Sequence, residues 1–396
     1  MAERAAGRME ILVLNEIARA GLARLPAERY SVVKEARSPD AILVRSRDLH
    51  KFDFGASVKA VGRAGAGVNN IPVAALTQRG VPVFNAPGGN ANAVKELVLA
   101  GMLIAARNLI PALDFVRGLS GAGAELDKKV EDGKRAFAGR ELKGRTLGVI
   151  GLGKVGSLVA DAAIRLGMEV IGFDPEITVD AAWSLPSQVR RALSVGEVLK
   201  ASDFVSLHVP LVEKTRGLIG AHNFAQLPRG AVVLNFSRDG VVDERALADA
   251  LAGGALKCYV TDFPSAAVAG REGVVALPHL GASTEEAEEN CAVMVVDQLR
   301  EFLEHGNVRN AVNFPDAAME RESRDRLAIA HANVPDMLAR ISHALGGRRV
   351  NIHNMLNKSR GDTAYTLLDV DGEVPEAALA ELRGIEGVRA VRYLTA

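Results

Sequence analysis

Short apolar runs alternate with longer stretches of helical periodicity along most of the chain, the pattern of a parallel-sheet α/β protein. The runs predict strands at 11–14, 41–44, 146–150, 170–173, 204–208, 232–235, 259–261 and 274–277. The stretches 154–166 and 244–251 predict helices with one apolar face. The tail changes rhythm. Its predicted order is strand 326–330, helix 335–345, strands 351–357 and 363–368, helix 375–383 and strand 388–393, a βαββαβ module of the ferredoxin-like kind. Two breaks interrupt the pattern. Residues 118–144 are glycine-rich at Gly118-Leu119-Ser120-Gly121-Ala122-Gly123 and charged over 125–135, which predicts an excursion at a domain junction. The second break is Asn313-Phe314-Pro315-Asp316, followed by the charged run 320–326.

Length and charge narrow the classes. At 396 residues the chain can hold two or three separate cores. Lys plus Arg equals Asp plus Glu at 48 each, so no overall basic field points to nucleic acid or an anionic membrane as partner. Cys258 and Cys291 lack metal-ligand spacing and cannot form a disulfide framework, so no metal is expected and both read as small core residues in a reducing compartment. The first eight residues are polar without a signal core, and no apolar stretch approaches the ~18 residues of a membrane span. A cytoplasmic, soluble protein is expected.

Thr146-Leu147-Gly148-Val149-Ile150 enters Gly151-Leu152-Gly153-Lys154-Val155-Gly156 directly, and helical periodicity begins at once. In a dinucleotide loop the first glycine makes the tight turn, the second admits a pyrophosphate and the third packs helix on strand. The helix N-terminus adds free N–H groups and the positive end of its dipole. With 39 glycines in the chain the spacing alone is a weak signal. Asp174 strengthens it: an acid at a strand end, 18 positions past Gly156, bonds a ribose 2′-OH and repels a 2′-phosphate, favouring NAD over NADP. The rival Gly65-Ala66-Gly67-Val68-Asn69-Asn70 lacks a third glycine and a long following helix, and suits a substrate anion better.

Four later strands close on polar residues, where a doubly wound sheet gathers its ligands: His208-Val209-Pro210, Asn235-Phe236-Ser237-Arg238, Thr261-Asp262 and Pro278-His279-Leu280-Gly281-Ala282-Ser283. With Gly62-Arg63-Ala64-Gly65, Asn85-Ala86-Pro87-Gly88-Gly89-Asn90 and the stretches 147–156, 235–243 and 278–285, the chain resembles the D-2-hydroxyacid dehydrogenase family over nearly its whole catalytic region. The resemblance implies two doubly wound parallel-sheet domains. A Rossmann-type NAD-binding domain over 95–285 would be inserted in a discontinuous substrate-binding domain of 1–94 and 286–314.

It also implies a reaction, hydride transfer to NAD, with His279 as acid/base and Arg238 clamping the carboxylate while polarising the C2 oxygen. The residue types suit those roles. Histidine exchanges a proton near neutral pH, and arginine gives a planar two-point grip that lysine cannot. Taken singly, a strand-end histidine can equally cap a loop and an arginine can equally form a surface ion pair. By the same resemblance the cofactor would lie along Gly151, Gly153, Lys154, Val155, Gly156, Asp174, His208, Pro210, Phe236, Ser237, Arg238, Asp262, His279 and Gly281. Lys154 and Val155 would follow the pyrophosphate, and Asp262 would face the nicotinamide end. Arg45, Arg47 and Arg63, with Ala64, Gly65, the Asn69 loop and Asn90, are the candidate substrate residues. Three arginines in one domain supply the cations that a phosphate needs beside a carboxylate, and the resemblance implies 3-phosphoglycerate as the substrate.

One part of the pattern is missing. Most of the family pairs this histidine with a glutamate a few residues past the counterpart of Asp262, but Asp262-Phe263-Pro264-Ser265-Ala266-Ala267-Val268-Ala269-Gly270 contains none, and Glu272 already begins the last predicted strand. His279 is expected to work without a sequence-local carboxylate, or with one from elsewhere in the fold.

The tail, 325–396, resembles an ACT domain through His331-Ala332-Asn333-Val334-Pro335-Asp336-Met337-Leu338 and Val350-Asn351-Ile352. In this family such a module binds L-serine, with His331, Asn333 and Asn351 contacting the effector between paired modules. Asp336 stands where the family prefers glycine. A homodimer or homotetramer follows from the same resemblance. Two other readings share the core. A glyoxylate or hydroxypyruvate reductase is disfavoured by the tail and the N-terminal arginines, and an NAD-sensing corepressor by the tail and the neutral charge.

Overall fold

The apolar runs of the first ninety residues form five parallel strands, β1 (Met9–Val13), β2 (Tyr30–Val33), β3 (Ala41–Val44), β4 (Ala60–Arg63) and β5 (Val83–Phe84), in the order β2-β1-β3-β4-β5. β3 is buried at all four positions because the sheet is covered on both faces. Ile11 and Leu43 face one core, while Leu12, Ile42 and Val44 face the other, as the two-residue period of a strand requires. The computed structural model describes residues 7–395, so most of the predicted polar N-terminal segment lies outside them.

A second parallel sheet follows: β6 (Thr146–Ile150), β7 (Glu169–Phe173), β8 (Arg190–Arg191), β9 (Phe204–Leu207), β10 (Ala231–Asn235), β11 (Leu256–Thr261) and β12 (Val274–Ala276), in the order β12-β11-β10-β9-β6-β7-β8. The tail strands β13 (Asp325–Ala332), β14 (Asn351–Arg360), β15 (Thr363–Asp371) and β16 (Val388–Thr395) make an antiparallel sheet in the order β14-β15-β13-β16. The parallel strands and the βαββαβ tail are what the hydrophobic pattern predicts, and the division into two parallel sheets is what the family resemblance implies.

By compactness the chain divides into two units, Met1–Asn90 with Glu285–Ala396, and Ala91–Thr284. The excursion 118–144 lies inside the second unit and is not a junction. Much of it is the helix Ala124–Gly133, whose Glu125 and Lys129 pair across one turn at 2.7 Å, and Phe137 beyond it packs on Phe115 with ring centroids 5.2 Å apart. A solvated helix held by such pairs reads as a charged linker in sequence. Strands β2, β4, β5 and β8 are absent from the predicted set. β5 has two residues, Gly62 interrupts β4, and β2 exposes Val32.

The tail is built into the first unit. One face of its sheet, with Leu327, Ile329, Leu368 and Val370, carries the helices Met337–Gly346 and Glu376–Gly384. The other face, with Ala328, Ala330, Tyr365 and Leu367, shares a core with Phe302, Leu303 and Phe314. The last carbonyls of the helix Glu285–His305, which have no partner within the helix, accept from the tail and its linker. Arg392 donates to Phe302 O at 2.7 Å and Leu303 O at 2.9 Å, Arg321 to Glu304 O at 3.4 Å and Arg326 to His305 O at 3.1 Å, while Tyr365 bonds Gly306 O at 2.8 Å just beyond. Among the described residues no single helix is long and apolar enough to cross a membrane.

Candidate active site

All seven strands of the second unit's sheet are parallel, so their carboxyl ends share one edge. Along that edge lie His279 beyond β12, Asp262 after β11, the Asn235–Arg238 turn after β10, His208 after β9, Gly151 after β6 and Asp174 after β7. At ~4.8 Å per strand the row spans about 24 Å, enough for an extended dinucleotide with a small acid at one end. The chain leaves β6 toward β7 and returns at β9 on its other side, so the switch point of the sheet is the β6/β9 step, where ligands of such sheets bind.

Each glycine of the loop has its own reason. Gly151 has φ +92°, and a Cβ there would lie 2.5 Å from His208 O. A Cβ on Gly156 would lie 2.0 Å from Gly151 O. Gly153 instead meets nothing within 4 Å, and the helix Lys154–Arg165 that it opens has no side-chain cap. First-turn amides facing open space are what a pyrophosphate needs, so these residues fit a dinucleotide. Asp174 also shapes the loop: Oδ2 accepts from Leu152 N and Oδ1 from Glu176 N, both at 2.9 Å. A cavity of about 450 Å³ bounded by Gly153, Lys154, Ser157 and Asp174 adjoins one of about 650 Å³ lined by Ile177, Leu185 and Val189. Gly153→Ala is therefore expected to keep its melting temperature while KM for NAD rises about tenfold, a loss of ~1.4 kcal/mol in binding. Gly156→Ala is expected to lose about 1–3 kcal/mol of stability. Paired thermal melts and cofactor titrations check both.

The remaining cofactor candidates divide by how their side chains are engaged. His208 Nε2 lies 2.8 Å from Ser206 Oγ, and burial pushes its imidazole down to about 4, so it is neutral at pH 7. Phe236 is buried against Gly101, and Ser237 Oγ donates to Asn235 Oδ1 at 2.8 Å, so both side chains are held within the protein. Pro210 O accepts from Thr215 Oγ1 at 2.5 Å, and Val155 packs on the apolar core. Asn235, which the sequence reading did not assign, fixes the turn: its Nδ2 donates to Arg238 O at 3.0 Å and to Tyr259 Oη at 3.2 Å. Arg238 is exposed, with Nη1 donating to Ser237 O at 2.6 Å.

His279 is exposed, its ring 4.8 Å from that of Phe263 at an interplanar angle of 50°. Asp262 is 1% exposed and accepts from Gly281 N at 2.9 Å. Burial pushes its carboxyl above the usual range, against the pull of that amide and of His279.

In the first unit, β3 and β4 pair Val44 with Arg63, which brings the substrate candidates together at one edge. Arg63 Nε donates to Arg45 O at 3.0 Å, and Gly65 has φ +152° with room for the Arg63 guanidinium, since a Cβ there would lie 2.1 Å from Nη1. Arg45 is ion-paired to Glu288 at 2.6 Å, a partner that sequence spacing gives no sign of. Arg47 is exposed and without an ion pair among the described residues, Ala64 is buried, and Asn90 is half-buried.

In the tail, His331 is 2% exposed with Nδ1 at 2.8 Å from Ala332 O and Nε2 at 2.8 Å from Thr366 Oγ1. Burial lowers its imidazole below the usual value. Asn333 donates to Gly361 O at 3.0 Å and Asn351 to Asp371 Oδ2 at 2.7 Å. In register, Asn351 pairs with Asp371 at one end of β15 and Ala332 with Thr363 at the other, so Asn333 and Asn351 are separated by about 25 Å along the strand. Asp336 opens the helix Met337–Gly346 at φ +66°, a conformation that costs a non-glycine residue roughly 1–2 kcal/mol.

Residues 109–281 match the family model of the D-isomer specific 2-hydroxyacid dehydrogenase, NAD binding domain. The chain is 36% identical over 304 residues to a D-3-phosphoglycerate dehydrogenase of Methanocaldococcus jannaschii, covering 74% of this chain and 55% of that one. To that of Haemophilus influenzae it is 34% identical over 347 residues, covering 85% and 81%. The chain thus spans about half the length of most curated relatives it matches. The crystal structure of the NAD+-bound 3-phosphoglycerate dehydrogenase of Entamoeba histolytica matches with a TM-score of 0.61 at 27% identity, covering 77% of this chain and 98% of that one.

Proposed function

The chain belongs to the D-isomer specific 2-hydroxyacid dehydrogenase family, and we propose that it oxidises 3-phosphoglycerate to 3-phosphohydroxypyruvate with NAD. The observation that carries the reading is the single edge on which Asp174, the glycine loop, His208, Arg238, Asp262 and His279 follow one another. Bound NAD supplies the hydride acceptor. The protein's part is to hold the acid and take its proton. Arg238 grips the carboxylate and polarises the C2 oxygen, and a ring nitrogen of His279 takes the hydroxyl proton as C2 gives up its hydride. The products balance as ketone, NADH and a protonated His279 that returns its proton to solvent.

Arg45, Arg47 and Arg63 are the proposed residues for the substrate's phosphate. Arg45 is partnered by Glu288 at 2.6 Å and Arg47 is exposed, so Arg47 is the more available of these two. The relatives named D-3-phosphoglycerate dehydrogenase support this choice over a glyoxylate or hydroxypyruvate reductase. For the tail the proposal includes L-serine as effector, bound by Asn333 of one module and Asn351 of a second. His331, with both ring nitrogens engaged, is left out.

One assay tests the whole reading: NADH formation with 3-phosphoglycerate and with D-glycerate, each with and without L-serine. Arg63→Ala is expected to raise KM for the phosphorylated acid at least tenfold, the ~1.5–3 kcal/mol of a charged hydrogen bond, and KM for glycerate far less. Equal effects on both acids would remove Arg63 from the phosphate. An unchanged rate at millimolar L-serine would remove the effector.

A further inference from the structure

We infer that Asp262 is the positioning carboxylate of His279, in place of the glutamate missing from the 262–270 loop. The inference rests on the reading of His279 as the proton acceptor and adds the group that orients it.

The geometry begins with two bonds that bracket the histidine. Leu277 N donates to Thr261 O at 2.8 Å on one side of it, and Gly281 N donates to Asp262 Oδ2 at 2.9 Å on the other. The loop that carries His279 is thus tied twice to the Thr261–Asp262 step. His279 lies two residues from Gly281, so their Cα atoms are at most about 7 Å apart. The step is itself immobilised: Thr261 Oγ1 donates to Asn235 O at 2.9 Å and accepts from Phe263 N at 3.1 Å. The Phe263 ring then packs against the imidazole.

The second observation is an unanswered atom. Asp262 is 1% exposed, and its Oδ1 is buried without a hydrogen-bond partner among the described residues. A buried carboxylate oxygen left open beside a loop bearing an imidazole calls for a donor that arrives during the reaction, and an imidazolium N–H is such a donor. The attraction between Asp262 and His279 agrees with this.

The other charged groups of this unit's edge are differently placed. No acid occurs in 263–270 or 280–284. Glu244 accepts from Ser265 Oγ, which takes up the carboxylate that packs on this loop. Glu272 precedes β12 and lies toward its opposite end. Arg238 and Asp239 follow β10, two strands away from β12.

The test uses the full-length protein with Asp262→Asn, which keeps shape and removes charge, and Asp262→Glu, which restores charge. The His279 imidazole is followed by NMR in protein labelled at histidine, with His279→Asn to assign its signal, and kcat/KM is followed against pH. Asp262→Asn is expected to move both the titration midpoint and the acid limb of kcat/KM to lower pH by roughly 0.5–1 unit, with kcat down more than tenfold. Asp262→Glu is expected to return the midpoint most of the way. If Asp262→Asn fails to fold, Asp262→Ser replaces it, because water can fill the vacated space. An unmoved midpoint with a raised KM for NAD overturns the inference and leaves Asp262 to the nicotinamide alone. A moved midpoint in a protein that oxidises no 2-hydroxy acid supports the pairing and overturns the functional reading, so the two failures are separable.

Discussion

Replacing Arg326 by methionine is expected to cost the first unit about 3–5 kcal/mol, the price of leaving a buried charge without its partner. Arg326 and Asp369 both have fully buried side chains and pair through two bonds, of 2.6 and 3.0 Å. The remaining guanidinium N–H groups donate to His305 O at 3.1 Å, Met319 O at 3.0 Å and Glu320 O at 2.8 Å. That complete satisfaction is the condition under which a buried pair is tolerated. Methionine would leave Asp369 with the Glu322 amide at 3.0 Å and would strip three carbonyls. The melting temperature should fall by roughly 6–20 °C. The double variant Arg326→Met with Asp369→Leu should recover most of the loss, since no charge then remains buried. Recovery would show that the pair sets which groups meet more than how tightly they bind. The pH dependence has a definite sign. Burial would raise the Asp369 carboxyl, but Arg326 and the Glu322 amide outweigh it and hold it below its usual value. The pair's contribution is therefore present above the unfolded aspartate pKa of ~3.9 and is lost as pH falls through the lower folded value. A single variant as stable as the parent in urea would sink this account.

Which parts of this architecture can be read from sequence follows from where the causes lie. The glycine loop was legible because each constraint acts within a few residues: a turn at Gly151, open space at Gly153, helix on strand at Gly156. The six tail elements were legible because their strands and helices keep a steady period against the core between sheet and helices. Asn235, Phe263 and Glu288 were not, because their importance comes from partners on other elements or loops: Tyr259, His279 and Arg45. The ion-paired helix Ala124–Gly133 misled for the opposite reason, since its charges satisfy one another locally and show no buried face. The tail's docking face was hidden too. Ala328, Ala330 and Leu367 look like any alternating strand until Phe302 and Phe314 are found against them.

His279→Gln is expected to lower kcat by about 10²–10⁴, the usual contribution of a positioned acid/base, with KM for NAD and for 3-phosphoglycerate changed less than threefold, within the ~0.7 kcal/mol of a lost uniform contact. Glutamine keeps a polar amide near the same place but cannot exchange a proton at neutral pH. The other titratable groups of the edge are poorly suited to replace it. His208, held down to about 4 by burial and bonded to Ser206, stays neutral across the working range and is a weak base. Asp262 is enclosed, with one oxygen committed to Gly281 N. His279 alone combines exposure with a neighbouring carboxylate, and its loop is fixed at both ends by the bonds at Leu277 and Gly281. The acid limb of kcat/KM should vanish with the imidazole, because the group that must lose its proton before oxidation is gone. Loss of rate with the limb intact would assign the base to another residue. A variant retaining a tenth or more of the parent rate would mean that positioning by Arg238 and the cofactor loop, and not proton transfer, sets the speed of the proposed oxidation.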